Sequence, residues 1–361
     1  MALPRPAAQP LPGEVPLEQA WLGLVHAEVE ASLSELFELP DEAGLDPRWT
    51  RALEEARLYA LRPAKRVRPA LVMAGHCLAK GTPVVPSELW RFAAGLELLH
   101  TFLLIHDDVA DRAVLRRGSA ALHHLLAPGR TGEDLAVVVG DHLFARALEA
   151  MLESELPGVA KVVRYYLSVC RHTAAGQYLD LSLERAPLSE VSLFQVLRVA
   201  YLKTARYGFC APLVCGAMLG GASPALLEGL ERVGRQVGLA YQLRDDLIGL
   251  FGDSSVAGKS SDGDFTQGKR TFPVLAAFAR ATPEGREELE ALWALPECEK
   301  DTVALARARA LVEAHGGRAA CERMVERASR AARRTLQSLP NPNGVRDLMD
   351  ALIARLAHRA A

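Results

Sequence analysis

The sequence predicts an all-α protein, and three observations carry that prediction. Apolar residues recur at helical spacing along most of the chain, turn signals fall too far apart for a β-protein, and only one run looks like a strand. That run, Leu135 to Val139, stands alone, and an isolated strand builds no sheet. Half of the 361 residues are apolar, enough for long helices to enclose one sizeable core.

Taken in order, residues 1–16 (MALPRPAAQPLPGEVP) are rich in proline and lack a continuous apolar stretch. They read as a flexible arm, not a signal peptide, and leave residues 17–361 as a single helical domain of a cytoplasmic protein. In the next stretch Leu22, Val25, Val29, Leu33 and Leu36 step by three or four, which places them on one helix face. Gly81-Thr82-Pro83, Pro128-Gly129, Pro157-Gly158 and Pro340-Asn341-Pro342 then punctuate the helices. The uncharged run Phe209 to Leu227 has the length of a membrane span, but Pro212, Pro224 and Gly220-Gly221 interrupt it. It reads as two buried helix segments and a turn, without stable membrane insertion. Six cysteines stand apart with no CxxC pair and read as buried, reduced thiols.

A net charge of −2 gives no whole-molecule attraction to nucleic acid, so anion binding must come from local clusters. The clusters are present. ELLHTFLLIHDDVAD at 97–111 and RQVGLAYQLRDDLIG at 235–249 are both apolar helical stretches that end on an Asp-Asp pair. On the first, Asp107 and Asp111 are one turn apart and His100 lies two turns before Asp107, so the three share a sector that Asp108 flanks. Like charges at this spacing need an offsetting cation. Hard carboxylate oxygens with no Cys or His cluster of zinc spacing point to Mg²⁺.

A metal on carboxylates makes sense where an anion also binds. Arg116 and Arg117 follow the first acidic face; Lys65, Arg66 and Arg68 precede a helical stretch; Lys203 adjoins Thr204; Lys259 and Lys269 follow the second acidic face. Arginine forks and lysine point charges suit phosphate oxygens. Any one of them alone would be an ordinary surface charge. Two acidic faces, each flanked by cations, are not explained that way.

Over roughly residues 20–355 the chain resembles the trans-isoprenyl diphosphate synthases, or polyprenyl synthetases, most of all those that make geranylgeranyl diphosphate. The resemblance rests on His100, the Asp107-Asp108-Val109-Ala110-Asp111 motif, Arg116-Arg117-Gly118, Gly140-Asp141-xx-Phe144, Gly176-Gln177-xx-Asp180, Lys203-Thr204, Gln242-xx-Asp245-Asp246, Gly258-Lys259 and Gly268-Lys269. It implies a helix bundle around a deep central cavity, a homodimer, and Mg²⁺-dependent head-to-tail joining of isopentenyl diphosphate to allylic diphosphates. The implied catalytic set is Asp107, Asp108, Asp111, Arg116, Lys203, Asp245 and Asp246. Asp107, Asp111 and Asp245 would hold two or three Mg²⁺ ions. Arg116, Lys203, Lys259 and Lys269 would grip the allylic diphosphate, with Thr204 and Gln242 beside the reacting carbons. Lys65, Arg68, His100 and Arg117 would hold isopentenyl diphosphate.

The second acidic motif departs from the family pattern: Gly249 stands where an aspartate is usual, with Asp253 or Asp264 as substitute ligands. Phe102, five residues before Asp107, reads either as ordinary core or as the floor of the chain-growth pocket, with Leu103 beside it. The resemblance favours the floor, and with it geranylgeranyl diphosphate (C20) as main product and farnesyl diphosphate (C15) as runner-up. A non-catalytic subunit of a heteromeric prenyltransferase is the binding-protein alternative. A terpene cyclase shares the first motif but has no need of cations for a second diphosphate.

Overall fold

The structure, a computed structural model, describes residues 17–39, 42, 44–252, 263–340 and 344–357. The proposed arm at 1–16, Asp253 and Lys259 lie outside the described residues. The described chain is almost wholly helical, as expected: α1 (Leu17–Glu35), α2 (Pro47–Ala60), α3 (Val67–Lys80), α4 (Ser87–Ala110), α5 (Leu122–Leu126), α6 (Gly129–Leu152) and α7 (Val159–Leu183) come first. Then follow α8 (Leu193–Val199), a π-helical segment (Ala200–Cys210), α9 (Ala211–Leu219), α10 (Pro224–Phe251), α11 (Gly263–Thr266) and α12 (Phe272–Phe278). The chain ends in α13 (Pro283–Ala294), α14 (Thr302–Ala314), α15 (Gly317–Gln337) and α16 (Val345–Ala357).

Local chemistry sets several of the starts. Asp46 caps α2 by accepting from the Arg48 amide, with Pro47 in the first turn; Ser192 and Gln195 form a reciprocal capping box on α8; Ser223 caps α10 ahead of Pro224. Val25, Val29 and Leu33 on α1 and Leu36 just past its end are buried as the spacing predicts, and Leu22 is half-buried. The uncharged run becomes the end of the π-helical segment, α9, a turn and the start of α10, and no helix among the described residues is long and apolar enough to cross a membrane.

Two expectations need correction. Leu135 to Val139 is not a strand but part of α6: burial of Gly132, Ala136, Val139 and Leu143 steps by three or four, a helical period that overrides the local β-propensity. Cys298 is exposed, unlike Cys77, Cys210, Cys215 and Cys321, which are buried. The only strands among the described residues are β1 (Leu115–Arg116) and β2 (Ser119–Ala120), a hairpin that the sequence reading missed. Its two-residue turn places Arg117 at φ 54° and Gly118 at φ 76°, the left-handed pair of a type I′ hairpin, which accounts for the glycine after the two arginines.

Two apolar clusters form the interior. The first joins α1, α3, α4, α6, α7 and α9, and the second joins α8, α12, α13, α14 and α15. α10 serves both: Leu230, Val233 and Val237 pack in the first, whereas Leu243, Leu247 and Leu250 pack in the second. Its Asp-Asp pair therefore lies where the clusters meet, beside the cavity that α4, α7, the π segment and α10 enclose.

Candidate active site

The cavity has a volume of ≈ 650 Å³. Asp107, Asp111 and Asp245 line it together with Asp180, Asp246, Asp264, Lys203 and Lys269, so both acidic helix ends expected from sequence border one space. Leu103, Leu104, Leu183, Val196 and Val199 give it apolar walls.

The first acidic face is held by cations. Lys203 Nζ donates to Asp180 Oδ2 at 2.8 Å and lies 3.5 Å from Asp107 Oδ1, while Lys269 Nζ reaches Asp111 Oδ2 at 3.4 Å. Burial and repulsion by Asp107 raise the Asp111 pKa, with the two lysines opposing. Burial alone would lower both lysines; Asp107 and Asp180 outweigh it at Lys203, as Asp111 and Asp264 do at Lys269, so both stay above the ordinary value. Burial, with Asp264 adding repulsion, pushes Asp246 up to about 8. Asp246 accepts from Gln242 Nε2 at 2.8 Å, and Gln242 Oε1 accepts from Thr204 at 2.6 Å, which links the π segment to α10.

The π segment carries Lys203 and Thr204, both of which line the cavity. Its wider turn bulges toward α7, where a Cβ on Gly176 would fall 2.8 Å from the Lys203 amide nitrogen. Only glycine admits that approach.

Asp108 and Arg116, expected from the sequence to serve catalysis and to grip diphosphate, lie behind the residues that line the cavity. Asp108 is fully buried, accepts from Tyr59 Oη at 2.7 Å and from both Arg116 Nε (2.7 Å) and Nη2. Arg116 is thereby committed to Asp108, with Asp107 Oδ2 at 3.9 Å. The cause is rotation: successive helix residues point about 100° apart, so Asp108 turns from the cavity as Asp107 turns toward it.

Of the four groups expected to hold isopentenyl diphosphate, Arg68 and His100 line the cavity. Arg68 lies 5.0 Å from the Tyr207 ring centre, and its Nε, like His100 Nδ1, is buried without a partner among the described residues. Lys65 is exposed, and Arg117 sits half-buried with Nη1 donating weakly to the Arg62 carbonyl at 3.4 Å. Burial, reinforced by Arg68, Arg117, Arg116 and Arg66, holds the His100 pKa well below its usual value. Arg68, Arg117, Arg116 and Arg66 thus surround the buried side of the His100 ring with positive charge.

The sign of that shift predicts a pH effect. Native His100 refuses a proton that the unfolded chain accepts near pH ~6.5, so its contribution to stability is present above that value and is lost as pH falls below it. Denaturant unfolding at pH 7.5, 6 and 5 should show stability dropping, with a shallower drop in His100→Gln; buried His76 and His123 shift the same way and keep the residual slope above zero. An unchanged slope in His100→Gln would contradict this.

Phe102 lines the cavity, its ring 4.6 Å from His106 and 5.2 Å from Phe144, with Leu103 beside it in the lining. Sequence reasoning gave no role to Asp180, Thr173, Tyr207 or Tyr241, all of which line the cavity. The nearest available signal was Gly176-Gln177-xx-Asp180, since the glycine marks a close helix crossing.

Comparison with known proteins fits this geometry. Residues 50–309 match the polyprenyl synthetase family. The chain belongs to that family. Polyprenyl synthetases are trans-prenyltransferases, and condensation of prenyl diphosphates is their chemistry. The chain is 35% identical over 229 residues to a short chain isoprenyl diphosphate synthase of Methanothermobacter thermautotrophicus, covering 62% of this chain and 66% of that protein's length. It is 36% identical over 276 residues to a geranylgeranyl diphosphate synthase of Mycobacterium tuberculosis, covering 74% of this chain and 73% of the relative. Other relatives of similar identity carry names from farnesyl to octaprenyl diphosphate synthase. Among solved structures, a geranylgeranyl pyrophosphate synthase of Corynebacterium glutamicum complexed with isoprenyl diphosphate and magnesium superposes with a TM-score of 0.83 at 27% identity, over 94% of this chain and 99% of that one.

The donor set of this polyprenyl synthetase suits the same ion. Its cavity carboxylates offer hard oxygens, and ammonium groups stand beside two of them. Among the described residues no three His, Cys, Asp or Glu side chains converge on one point. An ion held here would complete its coordination with water and substrate phosphate oxygens, the way Mg²⁺ binds.

Proposed function

We propose that this polyprenyl synthetase joins isopentenyl diphosphate to allylic diphosphates head to tail with Mg²⁺, and that its main product is geranylgeranyl diphosphate. The observation that carries the reading is a single cavity bordered by Asp107, Asp111 and Asp245 and also by the unpartnered nitrogens of Arg68 and His100. It offers one place for a metal-held diphosphate and another for a diphosphate held without metal by the Arg68 guanidinium and the His100 imidazole.

Magnesium bound to the carboxylates would neutralise charge on the leaving diphosphate. Asp107, Asp111 and Asp245 position that group, and Lys203 and Lys269 add positive charge where negative charge develops. The allylic C–O bond breaks and its electron pair leaves with the diphosphate. Leu103, Leu104, Val196 and Val199 keep water from the carbocation. Arg68 and His100 hold isopentenyl diphosphate so that its double bond attacks the cation, forming the new C–C bond. The resulting tertiary cation loses a proton to the released diphosphate, which restores the double bond. Thr204 and Gln242, bonded to each other, steady the wall beside the reacting carbons.

Exposed Leu135 and Val138 on α6 and Tyr178 on α7 support a homodimer, since they place apolar surface on neighbouring helices. The Phe102 ring in the cavity supports the twenty-carbon limit.

The test is incubation of the purified protein with isopentenyl diphosphate and each allylic starter, followed by sizing of the dephosphorylated products. Twenty-carbon alcohol should dominate, and exhaustive chelation should abolish condensation until Mg²⁺ is restored. Condensation that persists after chelation would refute the metal-dependent reading; a dominant C15 product would replace the assigned length.

A further inference from the structure

Resting on the condensation proposed above, we propose that Arg66 is the positioning residue of the isopentenyl diphosphate site: its buried guanidinium holds the loop that presents Lys65 and Arg68 in register with His100. Arg66 stands between Lys65 and Arg68 in the chain, yet its side chain turns inward and is buried. It closes the loop after α2 and caps the start of α3 in the left-handed region, at φ 45° and ψ 43°. A residue with a β-carbon rarely adopts that conformation, and it persists only where the surroundings fix it.

Three helices supply that hold. Arg66 Nε donates to Glu30 Oε1 on α1 at 2.6 Å, Nη1 to Glu97 Oε1 on α4 at 2.8 Å, and Nη2 to the Ala60 carbonyl at the end of α2 at 2.8 Å. The rigid fork of a guanidinium serves three directions at once, which an ammonium on a flexible stem cannot match. The loop is fastened on either side of this node. His26 Nε2 on α1 lies 3.2 Å from the Ala64 carbonyl, and Arg62 donates to the Arg116 and Ala120 carbonyls of the hairpin at 3.1 and 2.8 Å.

Each tie leads to a group assigned to isopentenyl diphosphate. Lys65 is set between the anchored Ala64 and Arg66, and Arg68 follows two residues on, in the first turn of α3. Glu97 lies one turn before His100 on α4, so its ion pair with Arg66 fixes the helix that carries the imidazole against the helix that carries Arg68. The Arg62 carbonyl receives Arg117 Nη1. Burying three charges offsets most of what their attraction gains, so the triad contributes geometry more than stability. Asp245 and Lys203 stand on α10 and the π segment, elements that these bonds do not tie. A fault at Arg66 should therefore fall on one substrate and spare the other.

The experiment measures KM for isopentenyl diphosphate, KM for the allylic starter and kcat on the full chain, with thermal unfolding to show that each variant is folded at the assay temperature. Arg66→Lys keeps the charge and loses the fork. It should raise KM for isopentenyl diphosphate about 10–100-fold, while the allylic KM and kcat at saturation change less than ~3-fold. Glu30→Gln removes the charge of one partner and leaves the Glu97 pair in place, so it should act in the same direction, by about 3–10-fold. A merely structural role would move both KM values together. That outcome, or a wild-type KM for isopentenyl diphosphate in the folded variants, would overturn the proposal. If Arg66→Lys fails to fold, Glu30→Gln decides alone. A wild-type protein that condenses no starter refutes the reading of the reaction and this one with it, whereas a condensing wild type with unselective variants refutes this one only.

Discussion

Asp107→Asn should cut turnover about 10²–10³-fold while the protein stays folded, because it removes a carboxylate that faces the cavity and leaves the packing untouched. The partner it leaves behind is not orphaned: Lys203 keeps Asp180 at 2.8 Å. Loss of the Asp107 charge also relieves repulsion on Asp111, so the Asp111 pKa should move back toward its ordinary value. Asp108→Asn should do the reverse. That carboxylate is fully buried between Tyr59 and Arg116, and removing its charge leaves a buried guanidinium with only the more distant Asp107, at 3.9 Å, as counter-ion, a loss of about 3–5 kcal/mol. Steady-state turnover and denaturant unfolding of both variants check the pair. Near wild-type turnover in Asp107→Asn would remove that residue from the metal set; equal stability of the two variants would mean that the Asp108 pair carries no structural load.

The contrast between these neighbours shows what the sequence carries. Periodicity and the spacing of Asp107 and Asp111 were enough to place two carboxylates on one helix face, since one turn separates them and the face they share is fixed by helix geometry. The direction of Asp108 was not legible. It depends on Tyr59, 49 residues away, and on a hairpin that returns Arg116 toward α4. The Arg-Arg-Gly run was visible as charge, whereas its type I′ turn emerges only when both strands are seen. Asp180 was similarly hidden, because its partner Lys203 is brought to it by the crossing of α7 and the π segment. Local signals fixed which residues carry charge; tertiary crossings decided which of those charges face the substrate and which hold the fold. The apolar run at Leu135 to Val139 illustrates the opposite error, a local β-like signal overruled by the burial period of the surrounding helix.

Phe102→Ala should shift the product to longer chains while condensation continues. The ring lines the cavity five residues before Asp107, about 7.5 Å along the helix axis at ~1.5 Å per residue, so it touches neither the acidic residues nor the cations assigned to diphosphate. Truncation opens space continuous with the cavity, not a sealed void, so the stability cost should fall below the ~3–5 kcal/mol of a fully buried Phe→Ala change. How far the chain then grows depends on what lies behind. Phe144 packs on Phe102 at 5.2 Å and His106 on its edge at 4.6 Å, so removing one ring exposes the next layer rather than an open channel. The single variant should therefore lengthen the product by a limited number of units, and Phe102→Ala with Phe144→Ala should lengthen it further. Sizing of the dephosphorylated products from wild type, single and double variants measures both steps. If Phe102→Ala kept the wild-type length, the floor would lie elsewhere in the cavity and the twenty-carbon assignment would lose its physical basis. If the double variant matched the single one, Phe144 would be packing alone and the next barrier would have to be sought at Leu103 or His106, which share the same wall.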